Sequence, residues 1–119
     1  SMSKEIKRHQ SGPILSRAVE YGDMVYLAGL TADDRSAGLK GQTEQVLKKI
    51  DSFLAACGSD KTRLLSANIW ITDLRAKPEM DAAWQAWIDK ADVPARACVE
   101  ARLGSPDTLV EIMVTAAKR

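Results

Sequence analysis

Two stretches of the chain repeat their apolar residues at helical spacing, and several shorter ones alternate. In Gln42–Cys57 the residues Val46, Ile50, Phe53, Leu54 and Cys57 fall on one helical face, while Lys48, Lys49 and Asp51 fall elsewhere. This predicts a helix with Gly58 as its C-terminal stop. A second helix is predicted after Pro78, a residue suited to a first turn. Its apolar positions Met80, Ala83, Trp84, Trp87 and Ile88 are spaced by threes and fours.

The alternating stretches predict strands. Leu64–Thr72 places Leu65, Ala67, Ile69 and Ile71 on one side and Ser66, Asn68, Trp70 and Thr72 on the other. Ala95–Leu103 sets Ala97, Val99, Ala101 and Leu103 against Arg96, Cys98, Glu100 and Arg102. In Leu109–Ala117, Val110, Ile112, Val114 and Ala116 oppose Glu111, Met113 and Thr115. Near the N-terminus, Ser16–Glu20, the turn Gly22-Asp23 and Met24–Ala28 read as a hairpin. Lys4–Gln10 reads as an edge strand or arm, and Gly29–Leu39 as a loop.

The predicted order is therefore β-β-β-α-β-α-β-β, an α+β domain over residues 2–119, with Ser1 a leftover ahead of the native methionine. Two helices cannot cover both faces of a five- or six-stranded sheet. The expected arrangement stacks both on the apolar face. The other face then carries Trp70, Cys98 and Met113 among Arg96, Glu111, Asn68 and Thr72. It is too apolar for plain solvent surface and too polar for a core, which suits a subunit interface.

Composition narrows the functional classes. Seventeen basic and sixteen acidic residues leave a net charge of +1, which offers no electrostatic reason to expect nucleic acid or an acidic membrane. Aromatics at 5% are few for a base-stacking platform. Cys57 and Cys98 lie far apart and His9 is the only histidine, so no metal site is expected. No apolar run approaches the ~20 residues that span a bilayer. The chain reads as cytoplasmic, with free thiols.

Arg96 and Glu111 are the candidate chemistry. Both interrupt clean alternation, and the expected strand phases point both away from the helices. A guanidinium binds a carboxylate as a planar fork, and a carboxylate can orient or deprotonate water. Together they suit a small acid attacked by water, or else an ion pair on an interface. Cys98 follows Arg96 on the same predicted face, and it reads as a small buried hydrophobe whose backbone can meet a ligand held there. Trp84 and Trp87 read as core anchors.

Taken together, the motifs resemble the RidA/YjgF imine deaminase family. Pro94-Ala95-Arg96-Ala97-Cys98-Val99-Glu100 is similar to its P-A-R-x-x-V-E strand, and Val110-Glu111-Ile112 to its V-E-I strand. Gly22-Asp23-Met24-Val25-Tyr26-Leu27-Ala28-Gly29, Gln42-Thr43-x-x-Val46-Leu47 and Ile71-Thr72-Asp73-Leu74 are similar to further family motifs, in the family's order. Met80-x-x-x-Trp84-x-x-Trp87 is closest to the YoaB-like branch.

The resemblance implies a chorismate-mutase-like fold. It implies a homotrimer whose sheets form a central barrel, with active sites between subunits. It also implies cofactor-free hydrolysis of 2-imino acids to 2-keto acids and ammonia. In that role Arg96 would hold the substrate carboxylate, the Cys98 backbone and Gly29 would contribute to substrate binding, and Glu111 would activate water. Ile14, Ala28 and Asp81 depart from the tyrosine, serine and asparagine of RidA proper, which points to a different or bulkier imine, or to slow hydrolysis of the usual ones. The competing readings are a non-catalytic trimer that binds carboxylate metabolites, a redox-responsive holdase, and an endoribonuclease, as some relatives are labelled. The last is opposed by the charge balance and the lack of a histidine pair.

Overall fold

Residues 5–119 are described by the computed structural model. The N-terminal arm is the short strand β1 (Ile6–His9); Lys4 lies outside the described residues. The expected hairpin follows as β2 (Ala18–Tyr21) and β3 (Met24–Leu27). Its two-residue loop puts Gly22 at φ +57°. A left-handed first loop position is what a tight hairpin of this length asks for, and glycine takes it without steric cost.

Helix α1 (Leu39–Ala56) begins three residues before the first periodic glutamine. It ends where expected: Gly58 takes φ +74°, and Ser59 N–H donates back to the Leu54 carbonyl at 2.9 Å. One 3₁₀ turn leads into β4 (Leu64–Ile71), and a second into α2 (Lys77–Trp87), with Pro78 in its first turn. Strands β5 (Ala95–Glu100) and β6 (Val110–Ala117) complete the chain.

The six strands form one mixed sheet in the order β1-β2-β3-β6-β4-β5. All neighbours are antiparallel except β4 and β5, which are parallel. A parallel pair needs a crossover connection, and α2 is that connection. Both helices lie on one face. There Val46, Ile50 and Leu54 of α1, with Met80 and Trp84 of α2, close over Val25, Leu27, Ala67, Ile69, Ile71, Val110, Ile112 and Val114.

Two expected strand phases need correction. Leu65 is 48% exposed, and Leu64 takes its place in the core at 6%. A register shift between Leu64 and Ser66 inserts one extra residue into β4, which turns Leu65 outward and restores the predicted phase from Ala67 onward. The second correction is at β5. Arg96 pairs with Ala67 and Cys98 with Ile69, both residues of the helix-covered face. Arg96 and Cys98 therefore face the helices, while Ala97 and Val99 face the open side beside Asn68 and Trp70. β5 is an edge strand beyond the centre of the helical cover, so apolar residues on it need not point inward.

The open face keeps the mixed character expected of it. Trp70, Asn68 and Ser66 pair across to Glu111, Met113 and Thr115. Tyr26, Val99 and Met113 are each between 42% and 49% exposed. No described helix is long and apolar enough to cross a membrane.

Candidate functional site

Glu111 sits on the open face in β6, opposite Trp70 of β4. Its side chain lies against Gly29, which follows β3 and precedes the bridge that pairs Leu30 with Ile112. Leu30 and Ile112 exchange backbone hydrogen bonds of 2.9 and 3.1 Å, which holds Gly29 close to β6. A Cβ added at Gly29 would collide with Glu111 Oε2 and come within 3.1 Å of Cδ. The missing side chain is thus the seat of the carboxylate. The sequence reading singled out both residues, and the fold brings them together. A small cleft beside them is lined by Trp70, Arg102, Leu103 and Glu111.

Arg96 occupies a different place. Its side chain is 22% exposed and reaches toward α2. The guanidinium lies 5.3 Å from the Trp84 ring centroid and 2.8 Å from Asp81 Oδ1. A cation over an indole face is held by the ring quadrupole. Asp81 in turn pairs with Lys77, one helical turn earlier, at 2.7 Å. Burial pushes the Asp81 carboxyl up, but the Lys77 and Arg96 cations outweigh that and hold it below the ordinary range. Arg96, Asp81, Trp84, Gln85 and Lys90 border a cavity of about 440 Å³. Cys98 packs at the margin of the core, and burial pushes its thiol up, with Arg96 offsetting part of the rise.

Arg96 and Glu111 are consequently not neighbours within one chain. They lie on opposite faces, on strands separated by β4. At ~4.8 Å per strand, two strand spacings alone separate them by about 10 Å. The expectation that both point away from the helices fails for Arg96, because an alternating strand has two possible phases. Apolar Ala97 and Val99 suggested the wrong one.

Two further groupings escaped the sequence reading. Gln42 is fully buried on α1. Its amide donates to the Ala37 and Asp107 carbonyls at 3.0 and 2.9 Å and accepts from Leu109 N–H at 3.0 Å. It ties the loop before β6 to the helix, and hence sets the start of the strand that carries Glu111. A buried glutamine at a helix start has no periodic signal beyond its motif.

The second grouping is at the other end of the sheet. His9, Glu20 and Cys57 place three ligand-type atoms within 4.8 Å of one another. His9 contacts the Glu20 carboxylate, and Lys118 Nζ sits 2.5 Å from its other oxygen. The lysine already supplies the positive charge that a cation would bring. This cluster joins β1, β2, the end of α1 and the C-terminus, far along the sheet from Arg96.

Comparison with known proteins agrees with this architecture. The sequence profile of the family described as Endoribonuclease L-PSP matches residues 7–118. A RutC family protein of Haemophilus ducreyi is 39% identical over 102 residues, covering 86% of this chain and 87% of the relative. The RutC family protein YoaB of Escherichia coli is 33% identical over 102 residues, covering 86% and 89%. A crystal structure of a YjgF family member from Neisseria meningitidis superposes with a TM-score of 0.92 at 41% identity, covering 98% of this chain and 97% of that one. Motif order, six-stranded sheet and both helices converge on one assignment: the chain belongs to the YjgF/RutC family, the family of the Endoribonuclease L-PSP profile.

Proposed function

We propose that this protein hydrolyses small 2-imino acids to 2-keto acids and ammonia, in a site completed between copies of the chain. The observation that carries the reading is the seating of Glu111 on Gly29, at an open, partly apolar sheet face. A carboxylate held against backbone, with no side chain between, is well placed to orient a water. Arg96 supplies the complementary element, a guanidinium steadied by Trp84 and Asp81 at the sheet edge. Because the two residues face opposite ways in one chain, the reading requires the open face of one copy to meet the β5 edge of another. Exposed Tyr26, Val99 and Met113 are the apolar surface such packing would cover. We take the assembly to be a homotrimer, as the family resemblance implies.

In this reading Arg96 takes the substrate carboxylate as a fork. Glu111 accepts a proton from water while the oxygen forms a bond to the C=N carbon. Glu111 passes that proton on to the imine nitrogen as the C=N π electrons move to it. In the resulting tetrahedral adduct the hydroxyl proton passes to the amino nitrogen, the C–N bond breaks as the C=O bond forms, ammonia departs, and the 2-keto acid remains. Water is the only co-reactant, and no metal or cofactor takes part. Two free cysteines fit a reducing, cytoplasmic setting.

A second reading has its own support. Arg96 with Lys90 and Gln85 in one cavity would serve a trimer that only binds small carboxylates. The two are separated by measuring keto-acid release from imines generated in situ by an amino-acid oxidase, with semicarbazide trapping unhydrolysed imine. Wild type should outpace spontaneous hydrolysis, and Arg96→Ala and Glu111→Gln should each lose that excess. Mixing the two inactive variants before reassembly should restore part of it, because some interfaces then carry both native residues. Binding of 2-keto acids without turnover would favour the binder. RNA cleavage is disfavoured by the charge balance and the single histidine.

A further inference from the structure

We propose that Asp81 is a specificity-tuning residue that damps the hold of Arg96 on a ligand carboxylate, and that Lys77 sets how strongly it does so. The proposal rests on the reading that Arg96 receives that carboxylate. Asp81 Oδ1 is buried and lies 2.8 Å from the Arg96 guanidinium. The contact is a close ion pair between a buried carboxylate oxygen and the guanidinium. It lowers the positive potential at Arg96, while the other N–H groups of the guanidinium can still meet an incoming acid. Lys77, at 2.7 Å from Oδ2, draws the same carboxylate the other way along the helix. The order Lys77, Asp81, Arg96 is thus a chain of alternating charge that ends at the site, with the Trp84 ring fixing its last member.

The chemistry gives this arrangement a purpose. A 2-imino acid and its 2-keto acid product carry the same carboxylate. A stronger hold on that group binds substrate and product alike, which slows product release and does not speed the chemical step. A neighbouring internal carboxylate keeps the grip moderate.

Two substitutions test the proposal because they act in opposite directions. Affinity for 2-oxobutanoate is measured by calorimetry, with its uncharged amide as control. Asp81→Asn should tighten binding about two- to fivefold, the range of a partly exposed ion pair. Lys77→Gln should weaken it by a similar factor, and this loss should shrink in the Asp81→Asn background, where there is no carboxylate left to release. The amide should respond to neither. If Asp81→Asn misfolds, Lys77→Gln alone still decides, since Lys77 sits at the outer end of the chain of charges. Weaker binding in Asp81→Asn, or no change in either variant, overturns the proposal and leaves Asp81 a structural support. If Arg96→Ala binds 2-oxobutanoate as well as wild type, the underlying reading of Arg96 falls first, and this proposal falls with it.

Discussion

Gly29→Ala separates backbone need from site need. Gly29 is not in a left-handed conformation, so an alanine there meets no φ penalty. The three atoms nearest to an added Cβ all belong to the Glu111 side chain, with Cδ at 3.1 Å and Cγ at 3.3 Å. What has to yield is thus the end of one flexible side chain. An off-rotamer shift costs ~0.5–1.5 kcal/mol, and the reduced freedom of the unfolded chain returns ~0.4–1 kcal/mol. The net is within about 1 kcal/mol, a shift in Tm of roughly 4 °C or less. The carboxylate, however, moves by about an ångström or more, and a misplacement of that size costs on the order of 10²-fold in rate. Keto-acid release with a semicarbazide trap reads the rate, and a thermal melt reads the fold. The expected result is a loss of about two orders of magnitude in a protein that melts almost as wild type does. A fully active Gly29→Ala would show that the position of Glu111 is immaterial. A collapse in Tm would show that the glycine serves the backbone instead.

Gln42→Leu should cost about 2–3 kcal/mol in urea unfolding, because it strands the Leu109 N–H and two carbonyls. Gln45→Leu, whose bonds to Asp34 are exposed, should cost less than about 1 kcal/mol. Met113→Glu should shift the protein toward monomer by light scattering, whereas Lys48→Glu on the far side of α1 should not; equal masses would remove the open face from the assembly. The Lys118 ammonium, against the opposing effect of burial and with help from His9, holds Glu20 below its ordinary 4.5. A depressed carboxylate stabilises the fold fully above that value and loses its contribution as pH falls through the lower folded-state value. Unfolding midpoints of wild type and Lys118→Met should therefore differ near pH 6 and converge toward pH 3. A constant gap across that range would rule out the ion pair as its source.

Much of the fold was readable from spacing alone. The 3.6 period of α1 and α2, the stop at Gly58 and the alternation of β6 each report a local face, and a face that must be buried leaves its mark on every second or third residue. Glu111 on the open side follows from that logic, because β6 lies at the centre of the sheet, where only one phase buries Val110, Ile112 and Val114; Gly29 was named by the family resemblance alone, and the pairing of Leu30 with Ile112 is what brings it against Glu111. Leu64 and Leu65 escaped it. Two adjacent leucines satisfy either phase, and only the pairing with β6 decides which is the inserted residue. Arg96 escaped it for a related reason. An alternating strand states two phases and leaves the choice to its neighbours. At the sheet edge, beside α2, a parallel partner put arginine toward the helix and alanine and valine toward open surface. The contacts of Arg96 with Asp81 and Trp84, and the linkage of Lys77 to Asp81, join residues whose proximity depends on how α2 docks beside β5. That docking is a property of the packed sheet and helices together, so local periodicity determined which residues form the elements, and tertiary packing alone determined which face of the sheet each candidate residue meets.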